Sequence, residues 1–252
     1  CGYHGWQDWY IGSTSRRYGV PKQVSDLTIK IDSFSLESLE IAFKNNKDIA
    51  CLIIEPMIGD EPNLDFLLQA KSLCSKYKAL LIYDECWTGF RCQRTGAIGY
   101  TGITPDLSCY AKALGNGVPV SAVVGNKKIM SGYEEVFFSF THASDPIGLA
   151  AADFMMDYLD DAFYKNLTSK TKKIHQQINK IFSQVKNKQY ELYATSYPGK
   201  IVLSASDQNM IIKLKTFLQK ELLSDNILFN MFLAIAEDHT NDDIENLLKA
   251  LN

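Results

Sequence analysis

The sequence predicts an α/β protein with a mostly parallel main sheet and flanking helices, followed by a smaller C-terminal α+β domain. Three observations carry that reading. Short apolar runs, ACLIIEP (50–56), ALLIYDE (79–85) and SAVVG (121–125), have the character of strands buried on both faces. Between the first two, NLDFLLQAKSLCSKYK (63–78) repeats Leu64, Leu67, Leu68, Leu73, Cys74 and Tyr77 at helical spacing. After residue 147 the pattern turns helical. Buried strands alternating with amphipathic helices call for a layered sheet covered by helices.

Taken in order, the first strand stops at Pro56 and the second ends on Asp84-Glu85. LSCYA is strand-like and leads into Lys112 and the turn LGNGVP. IGLAAADFMMDYLDDAF (147–163) and TKKIHQQINKIFSQV (171–185) are helical, the latter through Ile174, Ile178, Ile181, Phe182 and Val185. SYPGKIVLSAS (196–206) reads as a turn then a strand, and KLKTFLQKELL (213–223) as a helix. Thr240 and Asp243 form a capping box ahead of Ile244, Leu247, Leu248 and Leu251. The expected domains are 1–165 and 166–252.

At 252 residues the chain can bury a substantial core. Hydrophobic residues at 46% and charged residues at 22% are the balance of an ordinary globular protein. A net charge of -3 without basic runs argues against nucleic acid, and no apolar stretch reaches membrane-spanning length. The six cysteines lack metal-like spacing and read as reduced thiols of a cytoplasmic protein. The four histidines likewise suggest no metal site.

Asp84 closes an apolar strand, where a carboxylate is costly to bury without a cationic partner. A protonated ring nitrogen of a cofactor would be such a partner; a cap on the next segment is the ordinary alternative. Lys112 precedes a Gly-Asn-Gly turn. A partly desolvated lysine amine forms Schiff bases with carbonyls, although most lysines beside turns are simply exposed. Gly115 and Gly117 permit φ > 0 and a close backbone approach to a bound group. Tyr3 could stack on a planar ring, or belong to an aromatic core with Trp6, Trp9 and Tyr10. Thr141 could donate to a phosphate oxygen, or serve as a cap. Jointly, a pyridinium acceptor, a lysine 28 positions later and a following threonine are the equipment of a pyridoxal-phosphate (PLP) site.

GYHGWQDWY, IIEPM, LLIYDECWTGFR, PDLSCYAKALGNGVPVSAVVG and FFSFTH, in this order, resemble the class III aminotransferases of PLP fold type I. The glutamate-1-semialdehyde aminomutase-like branch is the nearest in pattern. The resemblance implies that Lys112 holds PLP as a Schiff base and moves the substrate's proton. It implies that Asp84 keeps the pyridine nitrogen protonated, that Tyr3 covers one ring face, and that His4 belongs to the cofactor site. Cys86 stands where the family places an aliphatic residue against the other face. Glu55 would join the hydrogen bonds near the phenolic oxygen, and Thr141 would reach the phosphate of a neighbouring subunit. A small-molecule amino donor and acceptor and a homodimer with shared sites follow from the same resemblance. So does the expectation that the chain is a C-terminal portion, ahead of which the family carries a phosphate-cradling loop. A non-catalytic binding or dimerisation module is the rival reading. ASDP after FFSFTH departs from the family's Gly-rich continuation and sets a carboxylate, Asp145, near the expected phosphate.

Overall fold

A computed structural model describes residues 3–186, 189–230 and 232–252 of the chain. The chain divides into two compact units, Cys1–Pro56 with Asn63–Trp87 and Thr101–Ala151, and Met57–Pro62 with Thr88–Tyr100 and Ala152–Asn252.

The first unit opens with two single-turn helices, α1 (Asp8–Ile11) and α2 (Lys22–Ser25), and then α3 (Leu36–Asn45). Strand β1 (Cys51–Ile54), helix α4 (Leu64–Tyr77) and strand β2 (Leu80–Asp84) form a right-sized parallel crossover. The helix starts where Asn63 accepts from the Phe66 N–H at 3.0 Å, and stops at Lys78, whose φ of 59° is left-handed. It buries Phe66, Leu67, Ala70 and Cys74, while Leu64 and Leu68 of the expected stripe face outward. Phe43 of α3 stacks on Tyr77 of α4, with ring centroids 4.8 Å apart.

After α5 (Ala97–Thr101), which belongs to the second unit except for its last residue, strand β3 (Leu107–Tyr110) pairs parallel with β2. Asp106 fixes their register: its carboxylate accepts from the Leu81 N–H and its own N–H donates to Leu81 O, both at 2.8 Å. Strand β4 (Ala122–Gly125) runs antiparallel to β3, so the sheet order is β1-β2-β3-β4 with one reversed edge. Helix α6 (Lys127–Met130) follows, and α7 (Pro146–Tyr158) runs from the first unit into the second.

In the second unit the long helix α8 (Asp161–Phe182) begins at Asp160, whose carboxylate accepts from the Phe163 N–H at 2.8 Å. It turns Leu167, Thr171, Ile174, Ile178 and Phe182 inward at 3–4 residue spacing. They meet an antiparallel sheet of β5 (Leu192–Tyr197), β6 (Lys200–Ala205) and β7 (Phe232–Ala234). The β5–β6 hairpin closes through Pro198 and Gly199, the glycine at φ 83°, with its N–H bonded to the buried Thr171 hydroxyl at 3.1 Å. Helices α9 (Gln208–Ser224) and α10 (Asn241–Ala250) complete the core, the latter behind the expected Thr240–Asp243 capping box.

Candidate active site

The carboxyl ends of β1, β2 and β3 share one edge of the sheet, where ligands gather in open α/β proteins. Asp84 is the last residue of β2 and pairs with Cys109 of β3, three residues ahead of Lys112. Glu55 lies one residue beyond the Ile54–Tyr83 pair, on the other side of Asp84. The topology thus brings Glu55, Asp84 and Lys112 to neighbouring strand ends.

Asp84 is only 7% exposed. Its Oδ2 stands 2.8 Å from His4 Nδ1, and its Oδ1 accepts from the Cys86 N–H at 3.0 Å. Burial alone pushes this carboxyl up, but the hydrogen bonds from His4 and Cys86, with the nearby imidazole charge, prevail and hold it below its ordinary value. Asp84 is therefore an ionised acceptor, which requires that His4 Nδ1 carries the shared proton. The Cys86 thiol goes the other way: burial first, then the Asp84 carboxylate, push it up to about 12. The Lys112 charge, close enough to act on the same thiol, pulls it partly back. Cys86 is a neutral, compact group beside the acid.

Lys112 begins a 3-10 turn (Lys112–Leu114) with φ at 51°, a left-handed backbone rare for a side-chain-bearing residue. Its side chain is exposed. The glycines after it divide their work. Gly117, with φ at 104°, needs the freedom of glycine, whereas Gly115 has φ at -103° and is needed for space. A Cβ on Gly115 would stand 2.1 Å from Val118 O. Its bare Cα therefore serves the folding of the turn itself.

The family "Aminotransferase class-III" matches residues 15–207, more than half of the sequence. The chain belongs to this family. Glutamate-1-semialdehyde 2,1-aminomutase of Legionella pneumophila (strain Lens) is 32% identical over 223 residues, covering 85% of this chain and 50% of that protein. The enzyme of the same name from Thermosipho melanesiensis is 32% identical over 272 residues, 96% of this chain and 64% of its own. The chain spans about half the length of the curated relatives it matches, between 39% and 64%. Among solved structures, an omega-transaminase from Sphaerobacter thermophilus superposes with TM-score 0.87 at 19% identity, over 99% of this chain and 65% of that one. The PLP internal aldimine form of Sphingopyxis sp. MTA144 FumI gives 0.85 at 22%, over 99% and 61%. The fold is that of the PLP-dependent transaminases.

Two residues expected from the class III pattern are exposed. Tyr3 is 61% exposed, next to His4 in the chain. Thr141 is exposed in the turn after Phe140. The ASDP departure has a local cause. Asp145 caps α7, accepting from the Gly148 N–H at 2.9 Å, so its charge is spent on a helix N-terminus. Tyr10, expected from the sequence only as a member of an aromatic core, has its ring against His4 with centroids 5.5 Å apart. The helical signal around it is a single turn, too short to show which way the ring points.

Proposed function

We propose that the protein to which this sequence belongs is a PLP-dependent aminotransferase or aminomutase that moves an amino group on a small amino-acid or semialdehyde-type substrate. The observation that carries the reading is the pairing of an ionised, His4-bonded Asp84 with Lys112 on adjacent strand ends in a class III family member. The names of the relatives favour the aminomutase and those of the solved neighbours favour transamination.

The residues fit the cofactor. A buried carboxylate held ionised by two donors suits a protonated pyridine nitrogen, and an exposed amine stands on a turn three residues beyond the acid's strand partner. PLP, when bound, supplies the electron sink that makes a substrate C–H acidic. Asp84 keeps the ring nitrogen charged. Lys112 Nζ holds the cofactor and then moves the proton at the substrate carbon. Cys86 and Tyr3 are proposed to pack the two ring faces. Glu55 is proposed to bond near the phenolic oxygen. Thr141, exposed and directly after the exposed Phe140, is proposed to meet the phosphate held by a second copy in a homodimer. A cytoplasmic location suits the five described cysteines, all free thiols.

Titration with PLP followed by borohydride reduction and peptide mapping tests the reading. A visible absorbance band with the reduced adduct on Lys112, absent in Lys112→Ala, is the expected result. Label scattered over surface lysines, or unchanged by Lys112→Ala, would remove the assignment.

A further inference from the structure

His4 reaches Asp84 only if its imidazole is held in one orientation, and the chain around it shows what holds it. Gly5, with φ at 117°, turns the backbone immediately after His4. Helix α1 then brings Tyr10 back, its ring edge-on to the imidazole with an interplanar angle of 71°. One helical turn is too short to hold itself. It is anchored from outside: the Thr28 hydroxyl donates to Trp9 O at 2.7 Å, and Gly12 seats α1 against α2. A Cβ on Gly12 would stand 2.9 Å from Ser25 Cβ and 2.8 Å from Asp8 O. Tyr10 is half-buried, and burial first, then the fields of Cys51, Cys109 and Asp84, push its phenol up. It adds bulk and a quadrupole beside His4, and no charge.

We infer that Tyr10 is a positioning residue, whose ring edge fixes the orientation in which His4 Nδ1 donates to Asp84. The inference rests on the reading of Asp84 as the cofactor's acid, but part of its test needs no cofactor. The full chain labelled with 15N-histidine, with His4→Gln for assignment, is examined for a hydrogen-bonded His4 Nδ1–H in the absence of PLP. Tyr10→Phe keeps the ring edge and Tyr10→Leu replaces it with a smaller aliphatic group. The Phe variant is expected to keep the His4 signal and the Leu variant to lose it to solvent exchange. Retention of PLP should weaken about tenfold or more in the Leu variant alone, the range typical of partners that orient a ligating side chain. An unchanged signal in Tyr10→Leu overturns the inference, as does an equal loss in Tyr10→Phe, which would make the hydroxyl the acting group. Should the Leu variant fail to fold, Gly12→Ala displaces α1 without altering Tyr10 and must weaken the same signal; no change there also overturns it. A wild-type chain that shows the His4 signal, while the whole protein to which it belongs gives no visible band with PLP, defeats the functional reading and leaves the Tyr10 inference standing.

Discussion

Asp84 is an acid kept ionised in a place that disfavours charge, and that has a measurable pH signature. Its folded carboxyl titrates below the ordinary 3.8. Stabilisation from the His4 and Cys86 hydrogen bonds is therefore complete above 3.8 and is lost as pH falls through the folded value. Asp84→Asn should cost about 1–3 kcal/mol at neutral pH, the scale of a buried charged hydrogen bond. In urea unfolding the gap between wild type and variant should narrow once pH drops below 3.8; a gap that stays constant would mean the charge contributes nothing. The acid was legible in the sequence because an apolar run ending on a carboxylate needs a partner. Its protein partners were not, since His4 and Asp84 are 80 residues apart. Nor does composition show that Lys112 sits at φ 51°, a backbone costing about 1–2 kcal/mol in a residue with a Cβ. Strain of that kind persists where function or the surrounding turn requires it.

At the scale of elements, the strands that carry the site were the easiest to read. β1 is apolar and meets Glu55 just beyond it, β2 is apolar until it ends on Asp84, and β3 leads through Ala111 to Lys112. The direction of β4 was harder. A signal was present: only 11 residues separate Tyr110 from Ala122, with no helical pattern, whereas a parallel return needs a longer crossover. β5 mixes polar and apolar residues, and β7 has three residues, too few for a period to show. The departure at ASDP is an element-scale feature too. Asp145→Ala should destabilise α7 by about 1 kcal/mol through the lost cap, while Asp145→Asn or Ser should recover most of it. Thermal unfolding of the three variants checks this; equal midpoints would show that the cap contributes nothing.

On the scale of the whole molecule, the first unit leaves an apolar stretch uncovered. Phe137 is 96% exposed, and Tyr133, Phe138 and Phe140 form successive edge-on ring contacts beside it. A second copy in the proposed homodimer would cover this stretch and bring Thr141 to the neighbouring site. Sedimentation should then give twice the 28.4 kDa chain mass, and Phe137→Asp should reduce it to one chain. A variant that sediments like the wild type would place the contact elsewhere. Sequence spacing reveals the aromatic run but not its exposure, because a buried strand and a bare loop can share that composition. The reversed edge strand has one more consequence, in the order of assembly. Tyr110 and Ala122 are close neighbours along the chain, so the hairpin bearing Lys112 closes a short loop, while seating Asp84 requires Ile82 to find Leu107 across an intervening stretch. Contacts between near neighbours form sooner. The housing of the amine is therefore expected to be built first, and the acid delivered to it.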